Sequence, residues 1–348
     1  MSNFSKSHLT GIFSALGSQL KQPNDALLAA INQEQYFNPW FTPENVLNAI
    51  TAIGNMLNQA DLTIWLNNYN FSENRIAKNV GLILAGNIPL VGFHDILCVL
   101  ASGNHALIKT SSNDARLVKM VLQMLVTLEP ELKDRFSFIE RLKDFDAVIA
   151  TGSNNSSRYF EYYFSKVPHI IRKNRSSVAV LTGNETPAQI AALGHDIFDY
   201  YGLGCRNVAK LMLPAGYKFK YFFEPLEIFE PVINHHKYNN NYGYNKSIYL
   251  VNSDKHFDNG FLLLKEDKRL TSPLAVLFYE YYDDIEQVQQ VLIEQNESIQ
   301  CIVSNAPLHV KNQVVDFSMS QQPALWDYAD GVDTMAFLCS FQSMVNRS

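Results

Sequence analysis

The chain has 348 residues, 47% of them hydrophobic, with 28 Lys and Arg against 34 Asp and Glu. That length and composition allow a substantial buried core and two domains, and the mildly acidic balance leaves no electrostatic footprint for nucleic acid. The four cysteines, Cys98, Cys205, Cys301 and Cys339, lie far apart without Cys-x-x-Cys spacing, which argues against a zinc site and against a disulfide framework.

Residues 1–6 lack the apolar core of a signal peptide. The longest apolar stretch is interrupted by Gly86-Asn87, Pro89 and His94-Asp95, so no run reaches the roughly 20 residues of a membrane helix. A cytoplasmic protein without a membrane span is expected. Up to about residue 69 the spacing is helical, with Leu27, Leu28 and Ile31 in one stretch and Val46, Ile50, Ile53 and Leu57 in another. Thr42-Pro43-Glu44 opens the second, with Thr able to cap and Pro at the first helical position. From about residue 80 strands alternate with helices. Residues 81–84 read as a strand, Asn87-Ile88-Pro89 as a turn, then an apolar helix, a Gly103-Asn104 turn and a strand ending in Lys109. A helix over 116–128 and a strand over 147–150, closed by Thr151-Gly152-Ser153, continue an alternation that indicates a doubly wound parallel sheet.

A second α/β region starts near residue 177. It holds expected strands at 177–181, 209–213, 247–251, 274–279 and 300–304 and an expected helix over 187–200. Residues 234–245 are polar, aromatic and rich in turn formers, and read as a surface loop. The pair His235-His236 has no matching carboxylate or Cys arrangement and is not a metal site. His195, alone on a helix, reads as structural.

Within this region Cys205 sits in Tyr200-Tyr201-Gly202-Leu203-Gly204-Cys205-Arg206-Asn207, a bend immediately before an apolar strand. Glycines allow close backbone approach and unusual dihedrals, and backbone N–H groups beside the sulfur favour a thiolate and a developing oxyanion. The same pattern fits an unreactive cysteine packed beside a helix-ending glycine.

The ordered motifs resemble the aldehyde dehydrogenase superfamily. Its cofactor domain has a strand ending in Asn-x-Pro, a next strand ending in a ribose-binding lysine, and then Thr-Gly-Ser. Here these fall on Asn87-Ile88-Pro89, Lys109 and Thr151-Gly152-Ser153, followed by Cys205 and by Ser272-Pro273-Leu274-Ala275-Val276, which is similar to the superfamily's Phe-Gly-Pro-Val block. Gly202-Leu203-Gly204-Cys205-Arg206-Asn207-Val208 and Arg175-Ser176-Ser177-Val178 look like the luminescence-type fatty-acyl reductases, which reduce acyl thioesters with NADPH. The resemblance runs from about residue 40 to 337. It implies an aldehyde dehydrogenase-like α/β fold, a doubly wound parallel-sheet cofactor domain plus a second α/β catalytic domain. The implied boundaries are 1–172 for N-terminal helices and the NADPH-binding domain, 173–330 for the catalytic cysteine domain and 331–348 for a C-terminal segment.

The resemblance also implies roles. Cys205 is the nucleophile and Asn87 an oxyanion donor; on its own, Asn87 is equally a turn residue. Lys109, Ser111, Ser112, Thr151, Gly152 and Ser153 line the cofactor. Aldehyde oxidisers that prefer NAD often carry Glu at the position of Ser112, where it repels a 2′-phosphate, so NADPH is the expected cofactor; Ser111 and Ser112 also suit capping of the following helix. The oxidisers' water-activating Glu falls in residues 171–176, which hold no carboxylate. The cofactor-ribose Glu falls on Arg269, with Glu266 nearby. The expected activity is NADPH-dependent reduction of an acyl-CoA or acyl-carrier thioester to an aldehyde, in a homo-oligomer or multi-enzyme complex. The alternatives are an acyl-phosphate reductase, or a catalytically idle acyl- or carrier-binding subunit.

Overall fold

A computed structural model describes residues 4–70 and 76–341. Residues 1–3, part of the stretch read for a signal peptide, and residues 342–348 of the C-terminal segment lie outside the described residues. The chain divides into two compact units, residues 1–174 with 323–348, and residues 175–322.

The first unit opens with four helices, α1 (Lys6–Lys21), α2 (Asp25–Glu34), α3 (Pro43–Met56) and α4 (Gln59–Asn67). Each starts where the spacing and a cap residue agree. Ser5, Asn24, Thr42 and Asn58 accept the backbone N–H three residues on, which satisfies a donor the helix itself cannot pair and stabilises each start by about 1 kcal/mol. Their apolar stripes, such as Leu9, Phe13, Leu16 and Leu20 on α1, are buried.

Five parallel strands follow, β1 (Asn79–Ile83), β2 (His105–Lys109), β3 (Phe136–Phe138), β4 (Ala147–Thr151) and β5 (His169–Arg172), in the order β3-β2-β1-β4-β5. Three helices connect them: α5 (Phe93–Ala101), α6 (Ala115–Leu128) and α7 (Asn154–Phe164). The middle strands read as continuous apolar runs because both faces are covered; Ala147, Val148, Ile149 and Ala150 are all buried. The order reverses between β1 and β4, and in open parallel sheets a ligand crevice lies outside the carboxyl ends at such a switch point.

Residues 323–341 fold with this same unit. Arg172 closes β5 and is 4% exposed. Its Nη2 donates to Asp95 Oδ1 at 2.5 Å and Thr334 Oγ1 at 3.0 Å, and its Nη1 to the Ala329 carbonyl at 2.6 Å. Tyr328 adds a second tie, accepting from Trp65 Nε1 at 2.6 Å.

The second unit is a seven-stranded sheet of β6 (Ser176–Val180), β7 (Val208–Pro214), β8 (Phe257–Asp258), β9 (Leu263–Glu266), β10 (Val276–Tyr282), β11 (Ile299–Val303) and β12 (Gln313–Val315), in the order β12-β11-β6-β7-β10-β9-β8. All pairings are parallel except β8 with β9. Its helices are α8 (Pro187–Phe198), α9 (Lys220–Leu226), α10 (His236–Val251) and α11 (Ile285–Glu294). Thr186 and Gln189 form a reciprocal capping box at the start of α8.

Two sequence expectations fail here. Residues 234–245 are not a surface loop and 247–251 are not a strand, because most of this stretch forms the single helix α10. Its buried positions, Tyr238, Tyr242, Asn245 and Tyr249, recur at helical spacing. Tyrosine buries a large hydrocarbon ring while its hydroxyl takes a polar partner: Tyr238 donates to the Phe261 carbonyl at 3.0 Å and Tyr242 to Asp258 at 2.7 Å. A polar-looking sequence thus hides a packed face.

Candidate active site

In the first unit the loops leaving the carboxyl ends of β1, β2 and β4 carry the residues singled out by motif. Asn87 lies in the loop after β1, exposed. Lys109 ends β2 with an exposed side chain, and its carbonyl accepts the Leu84 N–H at 3.0 Å, which fastens the β1 and β2 exits together. A Cβ on Gly86 would lie 2.5 Å from Ser111 Cβ and 2.6 Å from its Oγ, so glycine is required for the two loops to approach. Ser111 accepts the Asn113 N–H at 3.3 Å and stabilises its own turn, while Ser112 is exposed. Neither serine caps α6, whose cap residue is Asp114.

Asp114 is 2% exposed, and its Oδ2 accepts the N–H of Leu90, a residue held in left-handed backbone at φ 56°. Burial pushes this carboxyl well above the usual carboxylate range. Thr151 ends β4. A Cβ on Gly152 would sit 2.8 Å from Phe160 and 2.9 Å from Ser156. Ser153 caps α7 by accepting the Ser156 N–H at 3.3 Å, so the Thr-Gly-Ser segment also serves the strand-to-helix turn.

Arg172 is buried against Asp95, Lys173 pairs with Glu161 at 2.8 Å, and Arg175 donates to the carbonyls of Asn296 and Ile299.

Cys205 belongs to the second unit and is partly exposed, in the turn that feeds β7. Cys98 and Cys301 are buried in α5 and β11. The backbone leading to Cys205 is left-handed at four positions: Tyr200 at φ 54°, Tyr201 at 59°, Gly202 at 77° and Gly204 at 95°. The glycines adopt this freely, but each tyrosine costs roughly 1–2 kcal/mol, a strain that persists only where surrounding contacts impose it. Those contacts are explicit. Asn207, 3% exposed, donates its side-chain amide to the carbonyls of Asp199 at 2.7 Å, Ile197 at 3.3 Å and Asp196 at 3.4 Å. Ser177 Oγ donates to the Cys205 carbonyl at 2.9 Å. Tyr201 stacks on His235 with ring centroids 4.2 Å apart. Beside the turn a small cleft of about 30 Å³, of mixed polar and apolar lining, lies between Ile197, Tyr201, Tyr238, Leu262, Ser272 and Leu274.

His195 is bonded through Nδ1 to Asp199 at 3.1 Å and lies edge-on to Phe229. Arg269 is fastened to Asp267 by two side-chain bonds of 2.9 and 2.6 Å, and the guanidinium holds the Asp267 carboxyl down to about 2.

A family model described as acyl-CoA reductase (LuxC) matches residues 20–210, more than half of the chain. The chain belongs to this family. As an acyl-CoA reductase by family it is an oxidoreductase, and the matched span contains Asn87, Lys109, Thr151 and Cys205. No individually curated protein matches it.

Solved structures give the fold. An aldehyde dehydrogenase of Mycobacterium tuberculosis, complexed with NAD+, is 12% identical with a TM-score of 0.66, over 97% of this chain and 84% of that one. Aldehyde dehydrogenase 21 of Physcomitrella patens, with the product succinate, is 10% identical at 0.67, over 98% and 85%. An aldehyde dehydrogenase of Pseudomonas aeruginosa is 12% identical at 0.63, over 87% and 72%. This member of the acyl-CoA reductase family therefore has the aldehyde dehydrogenase α/β fold that the order of its motifs implied. Among the described residues no helix is long and apolar enough to cross a membrane, and no cluster of His, Cys, Asp or Glu is arranged to hold a metal.

Asn207, Asp114 and Asp196 carry the local architecture, and the sequence alone assigns none of them a role, although Asn207 lies within the motif around Cys205. For Asn207 a signal existed: a carboxamide between a glycine-rich bend and an apolar strand has to satisfy its own polarity once the strand is buried.

Proposed function

We propose that this acyl-CoA reductase uses NADPH to convert an acyl thioester to an aldehyde through an acyl-enzyme on Cys205. The observation that carries the reading is the strained, glycine-flanked turn that holds a partly exposed cysteine at the mouth of β7. The Cys205 thiolate attacks the thioester carbonyl, forming a carbon–sulfur bond. The tetrahedral adduct then collapses, and the departing CoA or carrier thiolate takes up a proton. The Asn87 side-chain amide is assigned to the oxyanion from the family pattern, a role whose loss in other acyl-transfer sites costs about two to three orders of magnitude.

The first unit is the proposed cofactor domain. Its donor set fits a dinucleotide: the Lys109 ammonium and the hydroxyls of Ser111, Ser112, Thr151 and Ser153 stand on the last residues of β2 and β4 and the loops that follow, at the carboxyl edge of a parallel sheet, beside its switch point. When bound, a reduced nicotinamide cofactor supplies the hydride that takes the acyl-enzyme to the aldehyde. Ser112 places no carboxylate against a 2′-phosphate, which favours NADPH over NADH.

The test is to mix the protein with acyl-CoAs of graded length and NADPH, and to follow the reduced-nicotinamide absorbance together with radiolabelled acyl transfer. Wild type should consume NADPH and become labelled, whereas Cys205→Ala should do neither. Labelling of Cys205→Ala at full stoichiometry would remove the assignment.

A further inference from the structure

We propose that Asn207 is a positioning residue that sets the presentation of Cys205 by closing the loop of residues 199–207 at its base. This rests on Cys205 being the acyl-accepting thiol. A helix leaves its last carbonyls unpaired, and at the end of α8 the carbonyls of Asp196 and Ile197, with that of Asp199 just beyond, all receive the Asn207 side-chain amide. The donor sits on the far side of the loop from those acceptors. One side chain therefore joins the residue where the loop leaves α8 to the residue where it enters β7, with Cys205 two positions before that anchor.

The amide is itself oriented. Its nitrogen faces three carbonyls, which only a donor can do, and its oxygen accepts from Gln321 Nε2 at 3.0 Å. Gln321 is carried on a segment fixed by Asp196, whose buried carboxylate accepts the N–H groups of Ser318 at 2.6 Å and Ser320 at 2.9 Å. Arg206 reinforces the same segment by donating to the Ser320 carbonyl and to Gln313. The network runs from Asp196 to Ser318 and Ser320, through Gln321, to Asn207 and back to α8. Tyr200 and Tyr201 lie inside this closed circuit in left-handed backbone, which an unanchored loop would leave. Without the Asn207 donor the turn relaxes, the thiol shifts, and the attack geometry degrades while the first unit remains.

The experiment measures single-turnover acylation by decanoyl-CoA, the apparent KM for decanoyl-CoA, and NADPH affinity, for wild type, Cys205→Ala, Asn207→Ala and Asn207→Asp. A displacement of about 1 Å costs about a hundredfold in rate, so Asn207→Ala should lower the acylation rate constant by that order. KM and NADPH affinity should stay within about threefold, the weight of one ordinary hydrogen bond. Asn207→Asp has the same shape and can donate only when protonated. Its acylation rate relative to wild type should therefore rise as pH falls, while the ratio for Asn207→Ala stays flat.

Acylation of both Asn207 variants within about threefold of wild type, with Cys205→Ala inactive, would overturn this inference and leave the nucleophile assignment standing. Equal losses in rate, KM and NADPH affinity, with no pH-dependent recovery in Asn207→Asp, would reduce Asn207 to general stability and overturn it as well. Acylation persisting in Cys205→Ala would remove the nucleophile assignment and this inference with it. Should both Asn207 variants fail to fold, Gln321→Ala carries the test, since it keeps the donor and frees its orientation. A several-fold loss of acylation rate is then expected, and an unchanged rate would overturn the proposal.

Discussion

The Asp114 carboxyl oxygen Oδ2 accepts the backbone N–H of Leu90 at 2.9 Å, joining the loop that carries Asn87 to the start of α6. Asp114 is almost fully buried, its second oxygen has no hydrogen-bond partner among the described residues, and burial raises its pKa well above the ordinary 3.8. Below that value the carboxyl is protonated whether the chain is folded or not. As pH rises above it the unfolded chain loses this proton while the folded chain keeps it, so stability falls with pH until the raised folded value is passed. Asp114→Asn keeps an acceptor for Leu90 and removes the titration. Urea midpoints from pH 4 to 8 should show the variant gaining on wild type as pH rises, by at least about 1 kcal/mol for each unit that the folded pKa is raised. Parallel pH profiles would contradict the burial argument.

The central parallel strands were legible in sequence because a strand buried on both faces must be written in apolar residues, as Ala147-Val148-Ile149-Ala150 and Val178-Ala179-Val180 are. The switch-point loops were legible because their turn and helix-start chemistry is local. Helix α10 was not, since its buried face is built from Tyr238, Tyr242, Asn245 and Tyr249, whose polar atoms find partners only in the folded chain. The Cys205 turn shows both sides. Its glycines mark it in the sequence, yet Tyr200 and Tyr201 are poor left-handed residues, and what holds them is supplied by Asn207 and Gln321 through distant contacts.

The proposed cofactor loop should respond to two changes with different signatures. Ser112→Glu adds an exposed carboxylate and should weaken NADPH binding about tenfold or more while leaving NADH little changed. Gly86→Ala drives a Cβ into Ser111 and should weaken both cofactors together, because it separates the β1 and β2 loops. Titration of each variant with each cofactor separates charge from shape. Tighter binding of NADH than NADPH by wild type would remove the argument from Ser112.

The buried Arg172 fork should be among the most sensitive positions in the first unit. Removing one member of a buried ion pair leaves the other charge uncompensated and costs about 3–5 kcal/mol. Arg172→Leu and Asp95→Leu should each show a loss of that order in urea unfolding, and the double variant should lose less than the sum because no orphaned charge remains. Arg172→Lys should not rescue, since one ammonium cannot reproduce bonds to Asp95, Thr334 and the Ala329 carbonyl from a planar fork. Additive single losses would show that the pair is not coupled.

The enzyme should be a poor aldehyde oxidiser in water. Residues 171–176 hold no carboxylate, and Glu161, which pairs with the Lys173 ammonium, has its pKa lowered and is a weaker base. Glu185 accepts the backbone N–H groups of Thr182 at 2.6 Å and Gly183 at 2.9 Å and the Thr182 hydroxyl at 2.8 Å, so its carboxylate is consumed by its own turn. Hydrolysis of an acyl-enzyme requires a base to activate water, whereas a thiol attacks near neutral pH without a strong one. Given a fatty aldehyde and NADP+ but no thiol, the protein should form the acyl-enzyme once and stall, with a burst of reduced cofactor no larger than the enzyme concentration. Adding CoA should restart turnover and yield acyl-CoA. Steady release of free carboxylic acid without CoA would mean that another side chain activates water, His195 being the first to test by substitution, and the thioester reading would lose its chemical support.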